Sequence, residues 1–348
     1  MSNIYSWQQT IWKRLIQRSS LSSYALLLKG RKGIGKREFA RQFAAALLCN
    51  NPSANDEACG DCPSCRWLAS GEHPNFYQIE PEALSGQTAE TTSVSNTEVG
   101  ATSKTKKKPS QQIGVDQIRA LTDFVNLSAH QQGFKIILIH PAEAMNLAAA
   151  NALLKKLEEP PPGVIFILVT HHIQQLLPTI LSRCQLITMP APDVATAKDW
   201  LTQQGVDNPS DCLAAASFAP LSALAFNDPE YIAQHHLFLD QISVPEKLNP
   251  IVLAEKMQRA DLSMVVSWQQ KWCYDILSFS TTGTIRYHLS QQEAIQTLAA
   301  TINTKALITY CRSLLSTQQL SRHPLNSRLF LEEMLLTYVM LVTKPKCP

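Results

Sequence analysis

A glycine-rich loop set between an apolar run and a helical pattern constrains this chain more than anything else in it. YALLLKG (24–30) is a continuous apolar run ending in glycine, which reads as a strand buried on both faces. GRKGIGKR (30–37) follows at once, and REFARQFAAALLC then reads as a helix. Strand, glycine-rich turn and helix in that order form the context of a phosphate loop, G-x-x-x-x-G-K-[S/T]. Gly30, Gly33 and Gly35 let backbone N–H groups turn toward an anion, and Lys36 is placed to reach β- and γ-phosphates.

The last position of the loop breaks the working pattern. It is Arg37, where a serine or threonine hydroxyl would hold Mg²⁺. A guanidinium has no acceptor atom and carries positive charge, so it cannot replace that ligand. A second metal-holding element is expected as an acidic residue at the end of the buried strand KIILI. That strand runs instead into His140, Pro141 and Ala142, with Glu143 arriving three residues late and expected to point elsewhere. With both elements altered, neither hydrolysis nor ATP/Mg²⁺ binding is expected. Gly30, Gly33, Gly35 and Lys36 remain as a degenerate phosphate loop.

The rest of the first half alternates strands and helices. VDQIRALTDFVNLSA and NLAAANALLKKLEEP have helical apolar spacing, the second stopped by Pro160, Pro161 and Pro162. KIILIH, VIFILVT and QLITM read as strands, with a short helix or turn at LLPTILSRC. Continuous apolar strands separated by helices predict a mostly parallel sheet covered by helices. Trp7, Ile11, Trp12 and Leu15 predict one face of an N-terminal helix. Residues 83–112 are polar, with little to bury, and are read as a flexible insert whose lysines, 104 and 106–108, belong to a solvated linker. Three domains follow from the proline breaks: an α/β domain over 1–190, a small helical lid over 191–245 and a helical domain over 246–348. Trp268 and Trp272, four apart in the last of these, are read as core or interface rather than a base-stacking platform.

Cysteine usage adds a second chemical signal. Four of the nine cysteines, Cys49, Cys59, Cys62 and Cys65, are spaced C-x9-C-x2-C-x2-C. Thiolates are soft ligands, and four around Zn²⁺ leave no open position, so the expected site is structural. Net charge is only +3, which does not point to a whole-surface nucleic-acid binder and leaves local or indirect contact with DNA open. No stretch of 18 apolar residues predicts a membrane span, and the N-terminus lacks a signal-peptide pattern, so a cytoplasmic location is expected. Finally, SRC (182–184) places Arg183 just before the last strand. One reading caps the preceding helix; the other is an arginine finger that supplies positive charge to a neighbour's γ-phosphate.

The segments YALLLKGRKGIGKR, CRWLASGEHPNFYQI, GVDQIRAL, NALLKKLEEPPPGVIFILVT and LPTILSRCQL occur in an order that resembles the delta-prime family of bacterial DNA polymerase III clamp-loader subunits, a branch of the AAA+ (RecA-like P-loop) fold. NSRLFLEEMLL is a weaker C-terminal echo, and resemblance covers nearly the whole chain apart from the insert. It implies a ring of delta, gamma/tau and delta-prime subunits that loads a sliding clamp on primer–template DNA, and no membrane partner. It implies that Arg183 acts in trans on the ATP of an adjacent gamma/tau subunit, that the four cysteines hold Zn²⁺, that Thr170 occupies a polar sensor position and that the last helices join a collar. A nucleotide-sensing arginine of active relatives falls near Leu221 here, a third departure from an ATPase. An active gamma-like ATPase and a scaffold without a catalytic group are the rival readings.

Overall fold

The computed structural model describes residues 4–16, 25–53, 55–85, 109–126, 134–321, 323 and 325–343. It divides into two compact units, Met1–Pro192 and Asp193–Pro348. Most of the 83–112 insert, including its lysines, lies outside the described residues. Its two ends do not: Ala83 N–H donates to the Ser110 carbonyl at 3.0 Å, and Ser110 N–H to the Glu82 carboxylate at 3.1 Å, so the two margins of the expected insert are bonded to each other.

The first unit holds five strands: β1 (Ala25–Lys29), β2 (Phe76–Ile79), β3 (Lys135–Ile139), β4 (Val164–Thr170) and β5 (Gln185–Thr188). They lie in the order β2-β3-β4-β1-β5 and every pair is parallel. Leu27 of β1 sits between Leu168 of β4 and Leu186 of β5. The central strands β3 and β4 are buried throughout, which is why their sequences are unbroken apolar runs. Successive side chains serve opposite faces. Leu26, Leu28, Ile136, Leu138, Ile165 and Ile167 pack in one core with α1 (Gln9–Ile16) and α2 (Lys36–Leu48). Leu27, Ile137, Ile139, Phe166 and Leu168 pack in the other.

Between β1 and the end of the unit come α3 (Pro63–Ser70), α4 (Glu82–Ser85), α5 (Val115–Asn126), α6 (Leu147–Glu158) and α7 (Pro178–Leu181). Ile118 and Leu121 of α5 and Leu153 and Leu157 of α6 fill the second core. Burying each such aliphatic side chain contributes about 1.5–3 kcal/mol. The start of α6 is set by Asn146, whose side chain accepts the Ala149 N–H at 2.8 Å, and its end by the three prolines that follow. This helix ends at Glu158, close to α7.

The second unit is helical among its described residues. Helices α8 (Val194–Gln203), α9 (Pro209–Ala215) and α10 (Pro220–Ala225) enclose a small core of Ala197, Leu201, Leu213 and Ala223. A larger core is built by α11 (Pro229–Ile242), α12 (Pro250–Met257), α13 (Leu262–Thr282), α14 (Gln292–Thr301), α15 (Thr304–Leu320) and α16 (Ser327–Thr343). Phe238, Leu239 and Ile242 place α11 in this larger core, although its sequence lies before the expected boundary at 245. Trp268 and Trp272 are buried there. Their ring N–H groups donate to the Tyr231 hydroxyl at 2.6 Å and the Tyr338 hydroxyl at 2.9 Å, so neither offers a stacking face. Asn326 accepts the Arg328 and Leu329 N–H groups at the head of α16, and Arg328 pairs with Glu332 at 2.8 Å. No helix is long and apolar enough to cross a membrane among the described residues.

Candidate functional site

The glycine loop joins β1 to α2, as the sequence predicts, but it is occupied by its own chain. Lys36 is almost fully buried, and its ammonium donates back to the carbonyls of Gly30, at 2.7 Å, and Arg31. Burial pushes Lys36 down to about 8, against the opposing pull of the Glu143 and Glu38 charges. The N-terminal segment closes the loop from outside. Gln8 donates to the carbonyls of Ile34 at 2.8 Å and Gly35 at 3.1 Å, and the Trp7 ring N–H donates to Ile34 at 3.1 Å. Gly33 and Gly35 have φ of 80° and 87°, conformations that favour glycine. At Gly35 there is a further reason: an added Cβ would lie 2.5 Å from the Tyr5 ring.

Arg37 has an internal partner. Its guanidinium meets the Glu80 carboxylate at 3.0 Å, and Gln78 donates to the same carboxylate oxygen at 2.9 Å. Glu80 follows the short edge strand β2 and its side chain is 7% exposed. A carboxylate lying beside the loop is therefore neutralised by an arginine of the same chain, where a metal-using loop would present a hydroxyl. Glu143, expected to point elsewhere, instead accepts the His171 N–H at 2.9 Å across the ends of β3 and β4. From there its charge acts on Lys36.

His140 and His171 stand edge to face at 5.2 Å beyond the same strand ends. Burial, with the charges of Arg37 and Lys36, holds His140 down at about 4. Burial, with Lys36 and His140, holds His171 at about 3. Both rings are neutral near pH 7. Thr170 is fully buried, and its hydroxyl, like Glu143 Oε2 and the Nδ1 atoms of both histidines, has no hydrogen-bond partner among the described residues. A cavity of about 340 Å³ opens beside α2, between Trp12, Arg37, Arg41, Glu57 and Leu68, with none of the loop glycines in its lining.

The four cysteines converge as their spacing predicts. Their Sγ atoms lie 3.6–3.9 Å apart in the contacting pairs and all within 4.8 Å of one another. Tetrahedral zinc–sulfur bonds of about 2.3 Å place sulfurs about 3.8 Å apart, so the cluster fits a structural zinc ion. Backbone N–H groups of Cys59, Cys62 and Cys65 point at the sulfurs of Cys49, Cys59 and Cys62, each at 3.4 Å. Burial raises the Cys49 and Cys65 thiols. At Cys62 burial is outweighed by N–H groups of Asn50 and Cys65, and the thiol falls to about 6. Behind the cluster, His73 Nδ1 accepts the Asn75 N–H at 3.0 Å, so its Nε2–H donates to Ser64 at 2.8 Å, and Ser64 donates to the Leu48 carbonyl at 2.6 Å. That chain ties α3 to the end of α2.

Arg183 lies on the surface of the first unit, directly after α7. Its Nη1 donates to the Thr179 carbonyl at 3.1 Å, as the capping reading of the sequence expects. Its Nη2 meets the Glu158 carboxylate at 2.5 Å, with the arginine side chain 33% and the glutamate side chain 48% exposed. The phosphate loop follows the C-terminal end of β1 and Arg183 precedes the N-terminal end of the parallel neighbour β5, so the two lie at opposite ends of the sheet: one sealed, one partly exposed. Sequence reasoning missed Gln8, Glu80 and Glu158 as partners, because each acts through a contact between segments far apart in the chain, and His73, whose nearby partners Ser64 and Asn75 form no motif spacing.

Comparison with known proteins gives this arrangement a family. A sequence profile described as DNA polymerase III, delta subunit, matches residues 7–193, and one described as its C-terminal part matches 229–339. The DNA polymerase III subunit delta' of Pseudomonas aeruginosa is 35% identical over 299 residues, 84% of this chain and 80% of that protein. The chain belongs to the DNA polymerase III delta-prime family. The delta' subunit of Haemophilus influenzae is 29% identical over 80% of this chain and 78% of its own length. A subunit tau, from Bacillus subtilis, is 32% identical over 177 residues, but these are only 51% of this chain and 26% of tau. The family thus fits the resemblance drawn from the sequence motifs, and the RecA-like parallel sheet, helical second half and cysteine cluster are those expected of it.

Proposed function

We propose that this chain is the non-hydrolysing delta-prime component of a cytoplasmic clamp loader, assembled with gamma/tau and delta subunits, and that it lends Arg183 to ATP held by the adjacent gamma/tau subunit. The observation that carries the first half is the sealed loop: Lys36 is bonded to its own loop carbonyls, and Arg37, paired with Glu80, stands where Mg²⁺ chemistry needs a hydroxyl. The surface position of Arg183 supports the second half. A guanidinium presented from a rigid helix end can stabilise charge that develops on a transferred phosphoryl group. A subunit that does not change with nucleotide then serves as the wall against which its neighbours move while the ring opens a sliding clamp for primed DNA. Zinc supplies no chemistry to this scheme; Cys49, Cys59, Cys62 and Cys65 would hold it as a staple.

The test is hydrolysis by a loader reconstituted from this chain, gamma/tau and delta, with clamp and primed DNA present. Arg183→Ala is expected to leave assembly intact and to slow hydrolysis at the facing site by about 10³-fold or more. The capping bond from Arg183 to Thr179 favours a second reading, a scaffold without a catalytic group. An unchanged rate with intact assembly would establish that reading instead.

A further inference from the structure

Arg183 already has an anion. Glu158, the last residue of α6, holds Nη2 at 2.5 Å while Nη1 is held by the Thr179 carbonyl and Ser182 hydroxyl at 3.1 and 3.4 Å. A phosphate oxygen on a neighbouring subunit would need the same N–H fork, because bidentate recognition uses the planar edge of the guanidinium. Glu158 takes an Nη2 hydrogen, so a phosphate that approaches along that edge has to displace the carboxylate. We propose that Glu158 is a positioning residue that competes with the neighbour's triphosphate for Arg183, so that the finger engages by exchanging one anion for another.

The inference rests on the reading of Arg183 as a trans-acting residue. Three features of the pair support exchange rather than a permanent bond. Both side chains are partly exposed, so water screens the pair and keeps it weak. Glu158 and Arg183 sit at the ends of two different elements, α6 and α7, each fixed independently, by the Asn146 cap and proline stop on one side and by the buried Ile180 on the other. Neither needs the other in order to fold. The carboxylate also leaves the pair without net charge. A guanidinium still bound to Glu158 would offer a phosphoryl group little of the positive field that makes an arginine useful there.

An exposed pair of this kind is worth about 0.2–1 kcal/mol, which corresponds to holding back engagement about 1.5- to 5-fold. The experiment uses the reconstituted loader with four versions of this chain: wild type, Glu158→Gln, Arg183→Ala and both changes together. ATP hydrolysis is measured over a range of ATP concentrations and at two salt concentrations. Glu158→Gln is expected to raise the rate at subsaturating ATP about 1.5- to 5-fold, more at low salt, with no effect when Arg183 is already alanine. A rate equal to or below wild type for Glu158→Gln, with Arg183→Ala still strongly reduced, overturns competition by Glu158 and leaves Arg183 in place. An unchanged rate in Arg183→Ala instead removes the reading of Arg183 itself. Glu158→Gln keeps the size and a hydrogen-bond acceptor, so assembly serves as the check that the variant is folded.

Discussion

At the scale of single residues the polar groups of the loop are met by the chain's own atoms. Gly35 shows how tightly. Its positive φ and the Tyr5 ring 2.5 Å from an added Cβ leave no room for even a methyl group. Gly35→Ala is expected to lower stability by about 1–3 kcal/mol, measured by urea unfolding, with Gly60→Ala as the comparison. Gly60 shares the positive φ but has open space around it, so it should lose only the conformational part. Equal losses at both positions would deny that Tyr5 seals the loop. His140 and His171 give a pH signature. Their folded values, about 4 and about 3, lie below the roughly 6.5 of an unfolded histidine. As pH falls from 6.5 toward 4 the unfolded chain takes up protons that the folded chain refuses, so stability is lost in that window. The size is on the order of a few kcal/mol for the two together. His171→Phe should flatten the slope relative to wild type; parallel curves would show that the ring is not held neutral by its surroundings.

At the scale of elements, what the sequence made legible was whatever a local pattern encodes. β3 and β4 read clearly because both of their faces are buried, so every residue is apolar. The glycine loop and the four cysteines read clearly because their chemistry lies in spacing. β2 did not, since Phe76, Tyr77 and Gln78 are only partly buried and only Ile79 is fully so, and an edge strand four residues long has no periodicity to detect. Glu80 was lost with it. Glu143 was misplaced because counting residues past a strand does not say where a short turn sends a side chain. The cysteine module makes a prediction at this scale. Removing metal with a chelator, or Cys62→Ser, should release one zinc per chain and loosen 49–73, read as faster amide exchange there while β3 and β4 keep their protection. Unchanged exchange in that segment would mean that the staple is not the metal.

For the whole molecule, the separation of a sealed loop from an open arginine predicts opposite outcomes for two lysine and arginine changes. Lys36→Met should leave the loader's hydrolysis within about twofold of wild type, because the Lys36 ammonium is hydrogen-bonded to its own loop carbonyls at Gly30 and Arg31, whereas Arg183→Ala should not. A large loss with Lys36→Met, in an assembly of normal composition, would show that the loop takes part in turnover. The family name was within reach of the sequence because LLKKLEEPP, SRC and the broken phosphate loop stand in one order. The second unit was less legible: α11 reads as part of a small preceding domain until Phe238 and Ile242 are seen in the larger core.

Helix α2 is fastened at both ends. Its first turn is anchored by Lys36 to the loop and by Arg37 to Glu80, and its last carbonyl, that of Leu48, is gripped by Ser64, next to a cysteine cluster that includes Cys49. A rod free at one end converts a push into a stroke. A rod clamped at two ends can only pass the load on to whatever it is bolted to, here the sheet beneath it. In mechanical terms this subunit is built as an anvil, and any hammer in the assembly has to belong to someone else.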